Sequence, residues 1–237
     1  MKSPQKRLFQ SRLLKWSSGR NRDFIWRKPG CTPFLILVSE MLLRKTKAET
    51  VDIIVRGLFR KYPTPNKLAR AKFPDLSEML RPLGLFRMRS RAIVEVARRL
   101  SGVKYKRFLG SYKNIVSLPH VGRYTANAVL CFAFDQRRPI VDGNVVRLFN
   151  RFFGTRVPIE VHKADDLWEL AEGLLPPNGA KEFNWALLDM ARSVCRVKSP
   201  NCHACPISKG CLYFKGEKKG GRKQDGDLKN ALVLPRG

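Results

Sequence analysis

Apolar residues recur at three- and four-residue intervals along most of the chain, and no stretch alternates in twos for long enough to form a strand, so the pattern predicts an all-α protein. Prolines and glycines punctuate it at Tyr62-Pro63-Thr64-Pro65, Phe73-Pro74 and Arg81-Pro82-Leu83-Gly84. Near the start, Leu8, Phe9, Leu13, Leu14 and Trp16 outline a short amphipathic helix, one that packs on the body or lies near a phosphate backbone. Thr32-Pro33 supplies a cap and a first helical residue for a strongly apolar helix over 34–47. Two further helices are expected over 164–175, stopped by Pro176-Pro177, and over 182–194, where Leu167, Trp168, Phe183 and Trp185 are most simply core. After Phe214 the chain is rich in Gly and Lys and has little to bury, so disorder is expected over 215–237.

The stretch 118–153 holds two features with chemistry. Leu118-Pro119-His120-Val121-Gly122 reads as a tight turn opening a helix at Arg123, with Pro119 fixing its own φ and Gly122 expected to take angles that a Cβ would forbid. Such a turn aims backbone N–H groups and the positive end of a helix at an anion, and a phosphate fits. Twenty residues after Gly122, Asp142 precedes Gly143, Asn144 and an apolar series (Val145, Val146, Phe149, Phe152, Phe153) at helical spacing, which puts it at an N-cap. Taken alone, the carboxylate is either a cap or a reactive group. Glu40, inside FLILVSEMLL, poses a sharper question, because burying a bare charge costs several kcal/mol. It must be paired with an arginine, protonated or facing a cavity; the last two raise its pKa, as a general acid requires.

Charge narrows the partners. Lys and Arg number 47 against 19 Asp and Glu, a net +28 that repels itself unless a polyanion sits against it, so nucleic acid is expected, with affinity falling steeply with salt. With 43% hydrophobic residues the chain can form one large domain or two small ones. The N-terminus lacks the apolar run of a signal peptide and no segment reaches membrane-spanning length, so no membrane partner is expected and an intracellular, DNA-associated protein is. Of six cysteines, Cys31 and Cys131 lie in apolar surroundings, whereas Cys195, Cys202, Cys205 and Cys211 crowd into seventeen residues as C-x6-C-x2-C-x5-C. That is not a secreted disulfide framework. Four thiolates suit either zinc or a [4Fe–4S] cluster, and spacing alone leaves both open.

Together, the L-P-x-V-G turn of a helix–hairpin–helix, an Asp about twenty residues later and the terminal cysteine cluster resemble the endonuclease III and MutY superfamily of DNA glycosylases, over roughly residues 22 to 214. The resemblance implies a six-helix barrel domain with the hairpin (33–139), an iron–sulfur cluster domain (1–32 and 140–214), a basic tail (215–237) and an active cleft between the domains. It makes [4Fe–4S] the group held by Cys195, Cys202, Cys205 and Cys211, as a structural cross-link beside the basic residues Arg196, Lys198 and Lys209. It implies double-stranded DNA containing a mispair as partner, action as a monomer by base flipping, and downstream enzymes that process the abasic site.

The resemblance also assigns roles. Asp142 is the expected catalytic carboxylate, stabilising charge on the deoxyribose or orienting water, and Glu40, in Ser39-Glu40-Met41-Leu42-Leu43, matches the segment that carries the MutY-type catalytic Glu. Tyr124 stands where endonuclease III-like enzymes have a Schiff-base Lys, which implies a monofunctional glycosylase. MutY-type enzymes continue with Gln-Gln-Thr-Gln where this chain has Arg44-Lys45-Thr46-Lys47, and a basic pair before Thr looks more like the Mig-type thymine–DNA mismatch glycosylases. A solvated helix end is the plain alternative for Arg44 and Lys45. Thymine or uracil opposite guanine is thus the expected target, with adenine opposite guanine or 8-oxoguanine the alternative. MutY-type enzymes usually carry a further C-terminal domain for 8-oxoguanine, which is not expected in the tail here. Gly84-Leu85-Phe86 resembles the loop that wedges a side chain into the duplex, with Phe86 the expected wedge or else a core residue. His120, Gly122 and Arg123 are the expected phosphate contacts; His120 departs from the usual Gly, so the turn is either strained or uses the imidazole itself.

Overall fold

A computed structural model describes residues 3–20, 23–155 and 165–218, and among these every regular element is helical. No helix among them is long and apolar enough to cross a membrane. The chain divides into two compact units, one of residues 21–138 and the other of residues up to 20 together with 139 onward.

The continuous unit contains α2 (Pro33–Leu43), α3 (Ala48–Lys61), α4 (Pro65–Ala69), α5 (Phe73–Leu80), α6 (Phe86–Ser101), α7 (Tyr105–Phe108), α8 (Tyr112–Val116) and α9 (Arg123–Phe134), with α1 (Ser3–Ser17) preceding it in the chain. Helix α2 begins as its sequence dictates, with the Thr32 hydroxyl accepting from Leu35 N–H at 3.1 Å and Pro33 at the first position. Its residues from Phe34 to Leu42 are buried on every side, which explains an apolar run too long for one face. It packs against α3 and α9. It ends at Leu43 rather than running to residue 47, because Arg44 turns extended and Lys45 takes a left-handed φ of 57°. Residues 23–32, which the family resemblance groups with the cysteine-bearing part, fall in this unit, where the turn Ile25–Arg27 packs on α2 and α3. Ile25 N–H donates to Asp52 Oδ1 at 2.6 Å, and Arg56 holds Asp52 Oδ2 and the Asp23 carbonyl, both at 2.7 Å.

The discontinuous unit contains α1, α10 (Gly143–Phe153), α11 (Asp165–Leu174), α12 (Ala180–Ser193) and α13 (Leu212–Lys218). Helix α1 packs on α12, and α10 packs on both α12 and α13. Phe9 of α1 is 1% exposed, with its ring 4.9 Å from that of Phe152 and 6.3 Å from that of Phe183. Burying such a side chain is worth about 2–3 kcal/mol, so α1 is held by its apolar face. The expected disordered tail is helical at its start, since α13 runs to Lys218; residues 219–237 lie outside the described residues.

Candidate active site and cysteine pocket

Asp142 is the N-cap of α10. Its Oδ1 accepts from Asn144 N–H at 2.9 Å and Val145 N–H at 2.8 Å, and its Oδ2 accepts from Asn144 Nδ2 at 2.9 Å. Cap and carboxylate are one object: the helix start fixes the orientation of the charge, and the side chain stays only half-buried. The hydrogen bonds continue inward. Arg147, one turn along, donates from Nη1 to Asn144 Oδ1 at 3.0 Å, from Nε to the Cys195 carbonyl at 3.0 Å and from Nη2 to the Ala191 carbonyl at 2.6 Å. Burial lowers the Arg147 pKa, with the Cys195 thiol and Asp142 acting against that shift. Neither Asn144 nor Arg147 stood out in the sequence, although their offsets of two and five from Asp142 place them near it on the first turns of a helix.

The four clustered cysteines line a single pocket, whose walls include Leu148, Ile207 and Arg151. Burial pushes the Cys205 thiol up to about 11, with Cys195 and Cys211 adding to the shift and the Ile207 N–H opposing it; Cys211 is also raised, chiefly by burial. Among the described residues no three His, Cys, Asp or Glu side chains close on a position for one metal ion. Arg151 is 4% exposed, with Nη1 donating to the Arg196 carbonyl at 2.6 Å and to Cys195 Sγ at 3.6 Å, and Nη2 to the Val197 carbonyl at 3.1 Å. A buried guanidinium against one of four thiols fits an anionic, thiolate-ligated group.

In the continuous unit, Glu40 lies in the middle of α2, 3% exposed, with Oε2 shielded from solvent. Tyr124 is the second residue of α9, half-buried, on a helix packed directly against α2. Helix α8, the turn and α9 form the expected hairpin, and Arg123 and Gly122 are exposed at its end. One expectation about the turn is corrected. Gly122, the N-cap of α9, has φ −110° and ψ −176°, extended backbone that any residue adopts, and a Cβ there would meet nothing within 4 Å. The left-handed residue is His120, at φ 63°. Its imidazole Nε2 lies 3.1 Å from Glu95 Oε2, and its carbonyl accepts from Arg44 Nη1 at 3.4 Å.

Two exposed loops of this unit are tied together. Arg44, Lys45 and Lys47 project into solvent between α2 and α3, and Leu85, 66% exposed, projects before α6 at a left-handed φ of 49°. Thus Leu85 is the projecting side chain, whereas Phe86 is half-buried with the Arg81 guanidinium 5.6 Å from its ring. Arg89 spans the loops: Nε donates to the Gly84 carbonyl at 2.9 Å, Nη1 to the Leu42 carbonyl at 2.9 Å, and Nη2 to the Arg44 carbonyl at 2.9 Å and Thr46 Oγ1 at 2.8 Å. The sequence offered no signal for this, since Arg89 is one of several arginines in a basic helix.

The profile of the HhH-GPD superfamily of base excision DNA repair proteins matches residues 38–172, more than half of the chain. The chain belongs to that superfamily. It is 36% identical over 216 residues to a thymine/uracil-DNA glycosylase of Pyrobaculum aerophilum, covering 87% of this chain and 92% of that protein. It is also 36% identical over 196 residues to an adenine DNA glycosylase of Mycobacterium tuberculosis, covering 82% of this chain and 64% of that one. The solved structure of a thermostable thymine-DNA glycosylase superposes with a TM-score of 0.82 at 33% identity, over 90% of this chain and 97% of the other. The superfamily match spans α10 and its Asp142 cap, the hairpin, α6 and the latter part of α2.

Proposed function

We propose that the chain is a monofunctional DNA glycosylase that hydrolyses the N-glycosidic bond of thymine or uracil mispaired with guanine. The observation that carries the chemistry is Asp142, a carboxylate half-buried at a helix start with three hydrogen bonds fixing its orientation. A charge so fixed, with no reorganisation needed during reaction, stabilises the positive charge that develops on the deoxyribose as the base leaves. Glu40, withdrawn from solvent within α2, assists the departing base or the attacking water. Tyr124, half-buried on α9, lines the pocket that receives the extruded base; a phenol cannot form the imine through which a lysine would cut the strand, so the product is an intact abasic site left to other enzymes.

DNA is the partner that a net charge of +28 calls for. The hairpin's His120, Gly122 and Arg123 meet phosphates, and Leu85, in place of the expected Phe86, fills the space left by the extruded nucleotide while Arg44, Lys45 and Thr46 approach the opposite base. Mispaired bases cost least to extrude, which favours the wobble pairs. Cys195, Cys202, Cys205 and Cys211 would hold a [4Fe–4S] cluster, which supplies a covalent cross-link of the loop between α12 and α13. Arg151 and Arg147 hold that loop's carbonyls at Cys195, Arg196 and Val197.

Preference for thymine and uracil over adenine is supported by the near full-length match to a thymine/uracil enzyme and by Arg44-Lys45. Single-turnover base release from duplexes with G·T, G·U, G·A and 8-oxoguanine·A pairs, with alkali revealing abasic sites, tests it. Release of thymine and uracil is expected. Release of adenine alone would replace this reading with the MutY type.

A further inference from the structure

The two loops that project from the continuous unit each contain a non-glycine residue in the left-handed region, Lys45 at φ 57° and Leu85 at φ 49°. Such residues are strained and persist only where their surroundings over-determine them. One side chain reaches both loops. Arg89 uses three nitrogens to reach the Leu42 and Arg44 carbonyls before Lys45, the hydroxyl of Thr46 after it and the carbonyl immediately before Leu85. Thr46 closes the ring by donating from Oγ1 to the Arg44 carbonyl at 3.2 Å.

A helix C-terminus needs partners for its last carbonyls, and at the end of α2 Arg89 satisfies those of Leu42 and the C-cap Arg44. That role alone leaves the bond to Gly84 unaccounted for, and with it the second loop. The side chains presented differ in kind and complement one another: Arg44 and Lys45 are exposed cations, whereas Leu85 and Met88, 59% exposed, are apolar. Cations beside an apolar wedge are what a distorted duplex accepts, charge against phosphate and side chain between unstacked bases. Burial and the neighbouring Arg44 both lower the Arg89 pKa, so the positive charge is crowded where a polyanion would relieve it.

We propose that Arg89 is a positioning residue that locks the loops 44–47 and 84–86 into one rigid probe, so that the basic side chains and the Leu85 wedge enter a duplex together and in fixed register. The proposal rests on the reading of the chain as a mispair glycosylase. The planar fork is essential to it, because a lysine keeps the charge but cannot reach four acceptors from three directions.

The test compares Arg89→Lys and Arg89→Gln with the wild type. In Arg89→Lys, binding of an undamaged duplex at 0.1 M salt stays within about threefold, because no phosphate contact is lost. Single-turnover release from G·T falls about 10–100-fold, the effect of a reacting group misplaced by about 1 Å, and the ratio of G·T to A·T release falls with it. Hydrogen exchange at the Thr46 and Gly84 amides, bonded to the Leu43 and Arg81 carbonyls, speeds up in both variants, while α6 beyond Ile93 keeps its protection. Wild-type excision by Arg89→Lys overturns the proposal, as does a fall in excision matched by an equal fall in undamaged-duplex binding. If the wild type releases no base from any duplex, the functional reading fails and exchange alone decides: unchanged amides in both variants refute the lock, and faster ones uphold it.

Discussion

Replacing Asp142 by Asn separates the two roles that the residue combines. As a helix cap Asn equals Asp, and its Oδ1 can still accept from Asn144 N–H and Val145 N–H. The second oxygen is different. Oδ2 accepts from Asn144 Nδ2, and an amide nitrogen in its place faces another donor. Asn144 cannot simply flip, because its Oδ1 already accepts from Arg147 Nη1. One hydrogen bond is therefore lost, at about 0.5–1.5 kcal/mol. The loss in catalysis is larger: a unit charge about 4 Å from a developing cation is worth about 4 kcal/mol at an effective dielectric of about 20. At about 1.4 kcal/mol per factor of ten, that is roughly a thousandfold in rate. Chemical denaturation and single-turnover release from G·U duplexes, measured on the same preparation, read both quantities. The reasoning is refuted if Asp142→Asn keeps its rate within tenfold of wild type, or if the rate falls only where the variant is unfolded at the assay temperature.

Three more outcomes follow from the geometry. Gly154, the C-cap of α10 at φ 73°, has Leu212 Cδ1 3.0 Å from where a Cβ would stand, so Gly154→Ala destabilises by about 1–2 kcal/mol, while Gly122→Ala, extended and in open space, changes the denaturation midpoint little. Wild-type protein gives no borohydride-trapped complex with abasic DNA, and Tyr124→Lys gives one, visible as a band shift on a denaturing gel. Arg151→Met leaves the Arg196 and Val197 carbonyls without their buried donor and lowers unfolding free energy by about 2–5 kcal/mol, read by denaturation, with less iron recovered per chain.

The helical class and most boundaries were legible because they rest on local rules: Thr32-Pro33 opens α2, Asp142 caps α10, and apolar spacing marks α11 and α12. The hairpin was legible too, and its unusual angle in part: Gly122 invited that assignment, yet His120, standing where the resemblance has Gly, was the other candidate, and the left-handed residue is His120. The overrun of α2 has a similar cause, since Arg44 and Lys45 have ordinary helix propensity and leave the helix under the hold of Arg89, over forty positions away. Nothing local predicts a bond of that span. The same holds for Arg147 and Arg151, whose acceptors are carbonyls of the cysteine loop, groups that every residue has.

The division of the chain sets an order of events during synthesis. The unit of residues 21–138 is contiguous and can close as soon as it leaves the ribosome, whereas α1 must wait for α12, more than 160 residues later. Until α10 brings Phe152 and α12 brings Phe183, Phe9, buried in the finished protein, lacks its ring partners and is open to chance association. The lysines and arginines interspersed on the same helix give this segment a positive charge that opposes its association with copies of itself.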